Sequence, residues 1–289
     1  MTGASSIRQI LAHSLANDPN LLVVGGDVGK GGGPFGMTAG LLGELGPERI
    51  FDLPAADRGA AGIALGMALA GKRVVLVLDG AGRLGAILDV LRSAAAFAAS
   101  NPIGLVVLAP YGTEAGPLDA PAGFAARIPG ISVVAASSAG RLGSMLTAAI
   151  AANRPVVLLA PRAALVGRGD AEDAALDRAS VLHAGDHVTL AAWGGSVADA
   201  LAAASSLADE GISAEVLDLV TLAPIDAVTL GASVRRTGRL VVVHPSDDAL
   251  ALDPASVGLE AAFEFLESPI RFAATADAAA TAARESVAW

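Results

Sequence analysis

The chain has no cysteine and only four histidines among its 289 residues. The first absence excludes a disulfide framework, thiolate catalysis and thiolate metal sites together. The second leaves His13, His183, His187 and His244 as soft ligands, and only His183 and His187 stand at helical spacing, with Gly185 between them favouring a turn into a strand. A metal centre needs more convergent donors than that pair offers. Aromatic residues make up 3% of the chain, with one tyrosine, Tyr111, and two tryptophans, Trp193 and Trp289, of which Trp193 is read as core or interface packing. Positive charge is scarce as well. The formal net charge is −10 and no stretch concentrates Lys and Arg, which argues against phosphate-backbone binding and leaves nucleic acid an unexpected partner. Long apolar runs are missing: Val74–Leu78 and Gly104–Ala109 are far short of the roughly 20 residues that span a bilayer. The opening stretch MTGASSIRQILAHSLANDPN is amphipathic, without a basic leading region or a continuous apolar core, so a surface helix, no signal peptide and a cytoplasmic protein are expected.

What the chain does have is apolar mass, with 53% hydrophobic residues, enough to bury a sizeable core. Short runs at Leu21–Val24, Val74–Leu78, Leu105–Leu108, Ser132–Ala135 and Val156–Leu159 read as strands separated by Ala-rich helical patterns. Continuous apolar strands alternating with helices imply a parallel sheet covered on both faces. From Val166 to Leu182 hydrophobicity falls and charge rises, as in an exposed connection between compact units. Beyond it the alternation resumes, with strands at Val188–Ala192, Ala214–Leu219 and Leu240–Val243 and helices at Val197–Glu210 and around Ala227–Arg236. Pro224 suits a helix first turn, Gly211 a helix stop, and the tail from Ala273 to Trp289 is helical in propensity and expected to be partly mobile. The expected architecture is α/β: a larger parallel-sheet domain over residues 1–168, a linker over 169–183 and a smaller α/β domain over 184–289.

One ionisable side chain, Asp57, stands in the segment FDLPAADRGAAGIALGMALAG (Phe51–Gly71), a run otherwise composed for burial. Gly59, Gly62 and Gly66 alternate there with alanines, which suits close packing of a helix on another backbone or on a cofactor. A carboxylate in such surroundings requires a partner or a role in chemistry. Two readings stand: Asp57 contacts a cofactor, or it caps the following helix. Three further features carry paired readings. The run Gly29–Gly33 either cradles a phosphate with backbone amides or forms a flexible, subunit-facing loop without P-loop spacing. His244, after Leu240–Val243, either faces a ligand at a strand end or serves packing. Arg83, in a Gly-rich loop, either holds an anionic group or is solvated.

The chain resembles the beta subunits of thiamine-diphosphate-dependent 2-oxoacid dehydrogenases and the related transketolases. The resemblance rests on Val23–Pro54 (VVGGDVGKGGGPFGMTAGLLGELGPERIFDLP), the Asp57 segment, VVLAPYG (Val106–Gly112) and IPGISVVAASS (Ile128–Ser138). It continues through EGISAEVLDLVTLAPIDAVTL (Glu210–Leu230) and GRLVVVH (Gly238–His244), in the family's order over nearly the whole chain. The implied fold is a pyrimidine-binding-type domain followed by a transketolase C-terminal-like domain. In the family a glutamate at the position of Asp57 hydrogen-bonds the aminopyrimidine of thiamine diphosphate and drives the tautomer change that activates it. An aspartate retracts that carboxylate by roughly 1.5 Å if the backbone stays put.

Other positions depart from the family pattern. Gly26 stands in place of an acidic residue, DGAGRLGAI (Asp79–Ile87) replaces an aromatic-rich loop with Arg83 near the aromatic position, and Thr113–Arg127 is shorter than its counterpart and lacks its histidine. No Gly-Asp-Gly with a downstream asparagine occurs, the motif that holds Mg²⁺ and the diphosphate in the family. The resemblance therefore implies a separately encoded alpha-type partner that supplies it, in a two-alpha, two-beta assembly acting on a 2-oxo acid or a ketose. It also implies Asp57 as catalytic residue and Asp57, Ala56, Gly82, Arg83 and Tyr111 as the cofactor contacts, with no metal ligand on this chain. The rival reading is a non-catalytic subunit that kept the scaffold and stabilises or regulates its partner.

Overall fold

The apolar runs become the buried strands of two sheets in a computed structural model of the chain, which describes residues 1–54, 56–112, 120–244 and 252–289. The chain divides into two units, Met1–Leu176 and Asp177–Trp289.

In the first unit the strands are β1 (Leu21–Gly25), β2 (Ile50–Asp52), β3 (Arg73–Val77), β4 (Leu105–Tyr111), β5 (Ser132–Ala135) and β6 (Val156–Pro161). They lie side by side in the order β5-β6-β4-β3-β1-β2, and every pair among them is parallel. Between them run helices α1 (Gly3–Asn17), α2 (Leu41–Leu45), α3 (Asp57–Leu69), α4 (Leu88–Ala98), α5 (Ala120–Ala126), α6 (Ala139–Ala151) and α7 (Arg162–Val166). The opening stretch forms α1, capped by the Thr2 side chain on the Ser5 amide. Its apolar stripe Ile7, Leu11 and Leu15 is fully buried, and α1 packs on α6. Each such side chain contributes about 1.5–3 kcal/mol on leaving water. The two helices approach closely because of Gly143, where an added Cβ would stand 2.5 Å from Ser6 Oγ.

The second unit holds β7 (Ser180–His183), β8 (Val188–Ala192), β9 (Ala214–Asp218), a short β10 (Thr221–Ala223), β11 (Leu240–Val243) and β12 (Arg271–Ala273). Its five-stranded sheet runs β12-β11-β8-β9-β7, parallel throughout except for β7, which pairs antiparallel with β9. The helices are α8 (Ser196–Ala208), α9 (Ala227–Thr237), α10 (Leu252–Ala262) and α11 (Ala276–Val287). Ser180–His183, expected within the linker, thus form an edge strand. Their alternating exposure, with Val181 49% exposed, leaves no continuous apolar run in the sequence to mark them. The C-terminal tail is likewise not loose. Ala279, Ala280, Ala282 and Ala283 of α11 are buried in one core with α8 and strands β8, β9 and β11. On the sheet's other face the hydroxyl of Thr189, on β8, pairs with Ser233 Oγ at 2.7 Å and Thr237 Oγ1 at 2.8 Å, which ties the strand to α9 by a buried polar cluster.

Pro224 does not open α9. The helix starts at Ala227 and is capped by Asp226, whose carboxylate also accepts from the Ala179 amide at 3.1 Å. Partial burial pushes the Asp226 carboxyl up, but hydrogen bonds from the Thr229 hydroxyl and from the Thr229, Ala179 and Val228 amides outweigh it, and the net direction is below the ordinary carboxylate value. A depressed carboxyl contributes stability that is complete above its unfolded-state value, near pH 4, and is lost as the pH falls through its folded value. Asp226→Ala should therefore cost about 1–2 kcal/mol at neutral pH. That difference should shrink as denaturation is measured at progressively lower pH below 4, because the wild type then loses the same interaction.

Candidate functional site

Open parallel sheets bind ligands outside the carboxyl ends of two neighbouring strands whose connections leave in opposite directions. In the first unit that point lies between β1 and β3, since the chain passes from β1 to β2 on one side and returns through α3 to β3 on the other. A cleft of ≈ 110 Å³ opens there, lined by Gly25 at the end of β1 and Gly26 after it, Leu76 to Asp79 around the end of β3, Pro54, Asp57, Ala60 and Arg83. The strand ends come close because Gly25 has no side chain: a Cβ on it would stand 2.3 Å from the Val77 carbonyl oxygen.

Asp57 is the first residue of α3, and the helix takes Ala56 as its N-cap without any side-chain cap. The capping reading of Asp57 is therefore replaced by a cleft-wall position, where the positive end of the helix dipole favours a carboxylate. Its side chain is 24% exposed, so the carboxylate is half-buried rather than buried as the surrounding composition implied. Asp57 Oδ2 accepts a hydrogen bond from Arg83 Nη1 at 3.0 Å. Arg83 comes from a 3₁₀ turn, Ala81–Ile87, that buries Ala81, Leu84 and Ile87. With three residues per turn these anchors share one face and leave Arg83 outward, toward the cleft. The anionic group that Arg83 holds is thus Asp57 itself.

The other sequence candidates are dispersed. Ala56 and Gly82 adjoin Asp57 and Arg83 in the chain, and Tyr111 ends β4, but none of the three lines the cleft. The family's histidine-bearing loop corresponds to a stretch whose residues 113–119 lie outside the described residues. In the Gly29–Gly33 run, the Gly29 amide donates to Asp52 Oδ1 at 2.6 Å and the Lys30 amide to Asp52 Oδ2 at 3.4 Å. The amides that would cradle a phosphate hold an internal carboxylate. His244 is buried at the end of β11 and stacks on Trp193 at the end of β8, with centroids 4.0 Å apart and planes at 13°. His183 Nδ1 lies 2.9 Å from the Ala214 carbonyl, at the β7–β9 edge, and His187 Nδ1 accepts from the Ser213 amide at 3.0 Å, at the start of the β8–β9 pair. Among the described residues no group of three or more His, Asp or Glu side chains is placed to hold a metal ion.

Sequence reasoning did not single out Asp79. It lies two residues past the end of β3, its carboxylate oxygens lie 3.8 and 3.9 Å from where a Cβ on Gly26 would stand, and it lines the cleft. The available signal was an acid directly after an apolar strand and ahead of a Gly-rich turn.

The cleft combines an apolar strand wall with two carboxylates, one of them fixed by a guanidinium. That donor-seeking set fits a flat heteroaromatic ring carrying amino and protonated ring nitrogens, such as the aminopyrimidine of thiamine diphosphate.

Comparison with known families matches residues 1–167 to the transketolase pyrimidine-binding domain and residues 177–287 to the transketolase C-terminal domain. The chain is 34% identical to a pyruvate dehydrogenase E1 component subunit beta of Leifsonia xyli, over 90% of this chain and 82% of that protein. It is 34% identical to the subunit of the same name from Staphylococcus epidermidis, over 96% of this chain and 90% of the relative. Among solved structures, a split-gene transketolase described as an inactive beta4 tetramer superposes with a TM-score of 0.81 at 21% identity, covering 100% of this chain and 98% of that one. A Pichia stipitis transketolase superposes with a TM-score of 0.71 at 15% identity, covering 100% of this chain and 46% of that one.

Proposed function

We infer the role of this chain from its lineage: it belongs to the transketolase-related family of E1 beta subunits, built from a pyrimidine-binding domain and a transketolase C-terminal domain. It contributes the pyrimidine side of a thiamine diphosphate site in a heteromeric enzyme that decarboxylates a 2-oxo acid or transfers a ketol or acyl fragment. The observation that carries this reading is a carboxylate, Asp57, at the N-terminus of α3 in the switch-point cleft between β1 and β3.

When bound, thiamine diphosphate supplies the carbon nucleophile and the electron sink of the reaction. The chain's own task is narrower. Asp57 would exchange a proton with a bound aminopyrimidine, Leu76, Leu78 and Pro54 would give it an apolar wall, and Arg83 holds Asp57 by Oδ2. Ala56 and Gly82, next in the chain to Asp57 and Arg83, and Tyr111, the last residue of β4, are proposed as further cofactor contacts outside the cleft lining. Mg²⁺ and the diphosphate fall to an alpha-type partner in a two-alpha, two-beta assembly. A stripe on α3 supports a subunit contact: added Cβ atoms at Gly62 and Gly66 meet nothing within 4 Å, while neighbouring Ile63 and Leu69 are 45% and 46% exposed. An apolar stripe at this spacing is suited to a second helix.

The test is calorimetry of thiamine diphosphate with Mg²⁺ against the chain alone and against the chain co-purified with an alpha-type subunit. Binding by the assembly, one cofactor per beta chain, is the expected result. An assembled complex that takes up no cofactor would sink the reading.

A further inference from the structure

Two acids and one base line the cleft, and they are not equivalent. Arg83 is committed to Asp57 at 3.0 Å, whereas Asp79 makes no hydrogen bond to any described residue. Asp79 is hydrated while the cleft is open, being among the exposed residues. A ligand that enters displaces that water and must donate to the carboxylate, or it leaves a desolvated charge unpaired. The same carboxylate, with only one cation in the cleft and that one engaged, repels phosphate and carboxylate groups. The lining therefore discriminates between the two ends of a molecule that carries amine donors at one end and phosphates at the other.

Gly26 borders the space beside Asp79, where a Cβ would stand at ordinary van der Waals separations, 3.8 and 3.9 Å, from the two carboxylate oxygens. Substitution of Asp79 disturbs little else, since its side chain holds no other element in place. Its position two residues past β3, whose residues 74–77 are at most 1% exposed, gives the carboxylate a rigid base.

We propose that Asp79 is a ligand-binding residue that accepts a hydrogen bond from the exocyclic amino group of the aminopyrimidine. It thereby sets the direction in which the cofactor enters. This rests on the reading of the cleft as a thiamine diphosphate site, and it adds a contact beyond Asp57.

The experiment uses the assembled complex and reads cofactor affinity by calorimetry, independently of turnover. Wild type, Asp79→Asn and Asp79→Gly are compared with thiamine diphosphate and with its analogue lacking the ring amino group. Asp79→Asn should weaken thiamine diphosphate about tenfold or more, the worth of a charge-assisted hydrogen bond, and should leave the affinity for the analogue unchanged. The double variant Gly26→Asp with Asp79→Gly returns an acid to the same space from the neighbouring strand, and should regain much of the affinity lost in Asp79→Gly alone. Equal affinity of wild type and Asp79→Asn for thiamine diphosphate overturns the proposal while leaving the cofactor site intact. An equal loss for cofactor and analogue also overturns it, because the contact is then not to the amino group. Failure of the wild-type complex to bind at all overturns both this proposal and the reading beneath it.

Discussion

Asp57→Ala should lower turnover of the assembled complex on the order of 10²–10⁴-fold, the usual contribution of a positioned proton-transfer group, and should leave the fold standing. The side chain caps nothing, since Ala56 occupies the cap of α3. The one ion pair lost joins side chains 24% and 54% exposed, where solvent screening limits the contribution to about 0–1 kcal/mol. Thermal denaturation of the variant should therefore stay within a few degrees of wild type while activity collapses. Asp57→Asn separates the two things a carboxylate does. It keeps an acceptor oxygen at the same place but cannot exchange a proton in the same way, so it should bind cofactor better than Asp57→Ala and turn over no faster. Asp57→Glu adds the methylene that the family's residue has. If half-burial against Arg83 already compensates for the shorter reach, the longer side chain gains nothing and is crowded by the guanidinium. If it raises turnover, reach was limiting. Full activity in Asp57→Ala would remove this residue from the mechanism.

The strands of both sheets that were legible in the sequence share one property, burial on both faces. Ser132–Ala135, Val188–Ala192 and Leu240–Val243 have every residue buried, and a continuous apolar run announces them. Ile50–Asp52, Ser180–His183 and Arg271–Ala273 sit at sheet edges with mixed exposure, and each is three or four residues long, below what a periodicity argument resolves. At the site, Asp57 was legible because an acid is conspicuous in a Gly/Ala run. Its pairing with Arg83 was not, because the two are 26 positions apart and meet only through the connection of α3 to β3. Asp79 stayed hidden for the same reason: its neighbour in space, Gly26, follows a different strand. The glycines of α3 were read as close packing, yet Gly62 and Gly66 have empty space beside them within this chain. Composition reports that a close approach is permitted and does not name the surface that makes it.

Arg83→Met should reduce turnover about 10- to 100-fold with cofactor affinity changed only a few-fold, because the guanidinium acts through Asp57. Catalysis by a positioned group falls steeply with misplacement, and an error near 1 Å costs about 10²-fold. Arg83 Nη1 fixes Asp57 Oδ2 at 3.0 Å and so determines the plane of the carboxylate. Methionine keeps the apolar stem but releases that oxygen, and it leaves Asp57 and Asp79 lining one cleft with no cation in it. The turn itself should survive, since its anchors Ala81, Leu84 and Ile87 remain buried and do not depend on residue 83. Arg83→Lys restores a positive charge but not the planar fork that orients a carboxylate, so it should recover part of the lost rate. Arg83→Tyr places at this position the kind of residue that the family carries there. A tyrosine variant as active as wild type would mean that the guanidinium merely fills an aromatic's place against the ring. A tyrosine variant that fails while the lysine variant partly succeeds would mean that this chain has exchanged a stacking surface for an electrostatic clamp, one that holds a short carboxylate where a longer one would otherwise reach.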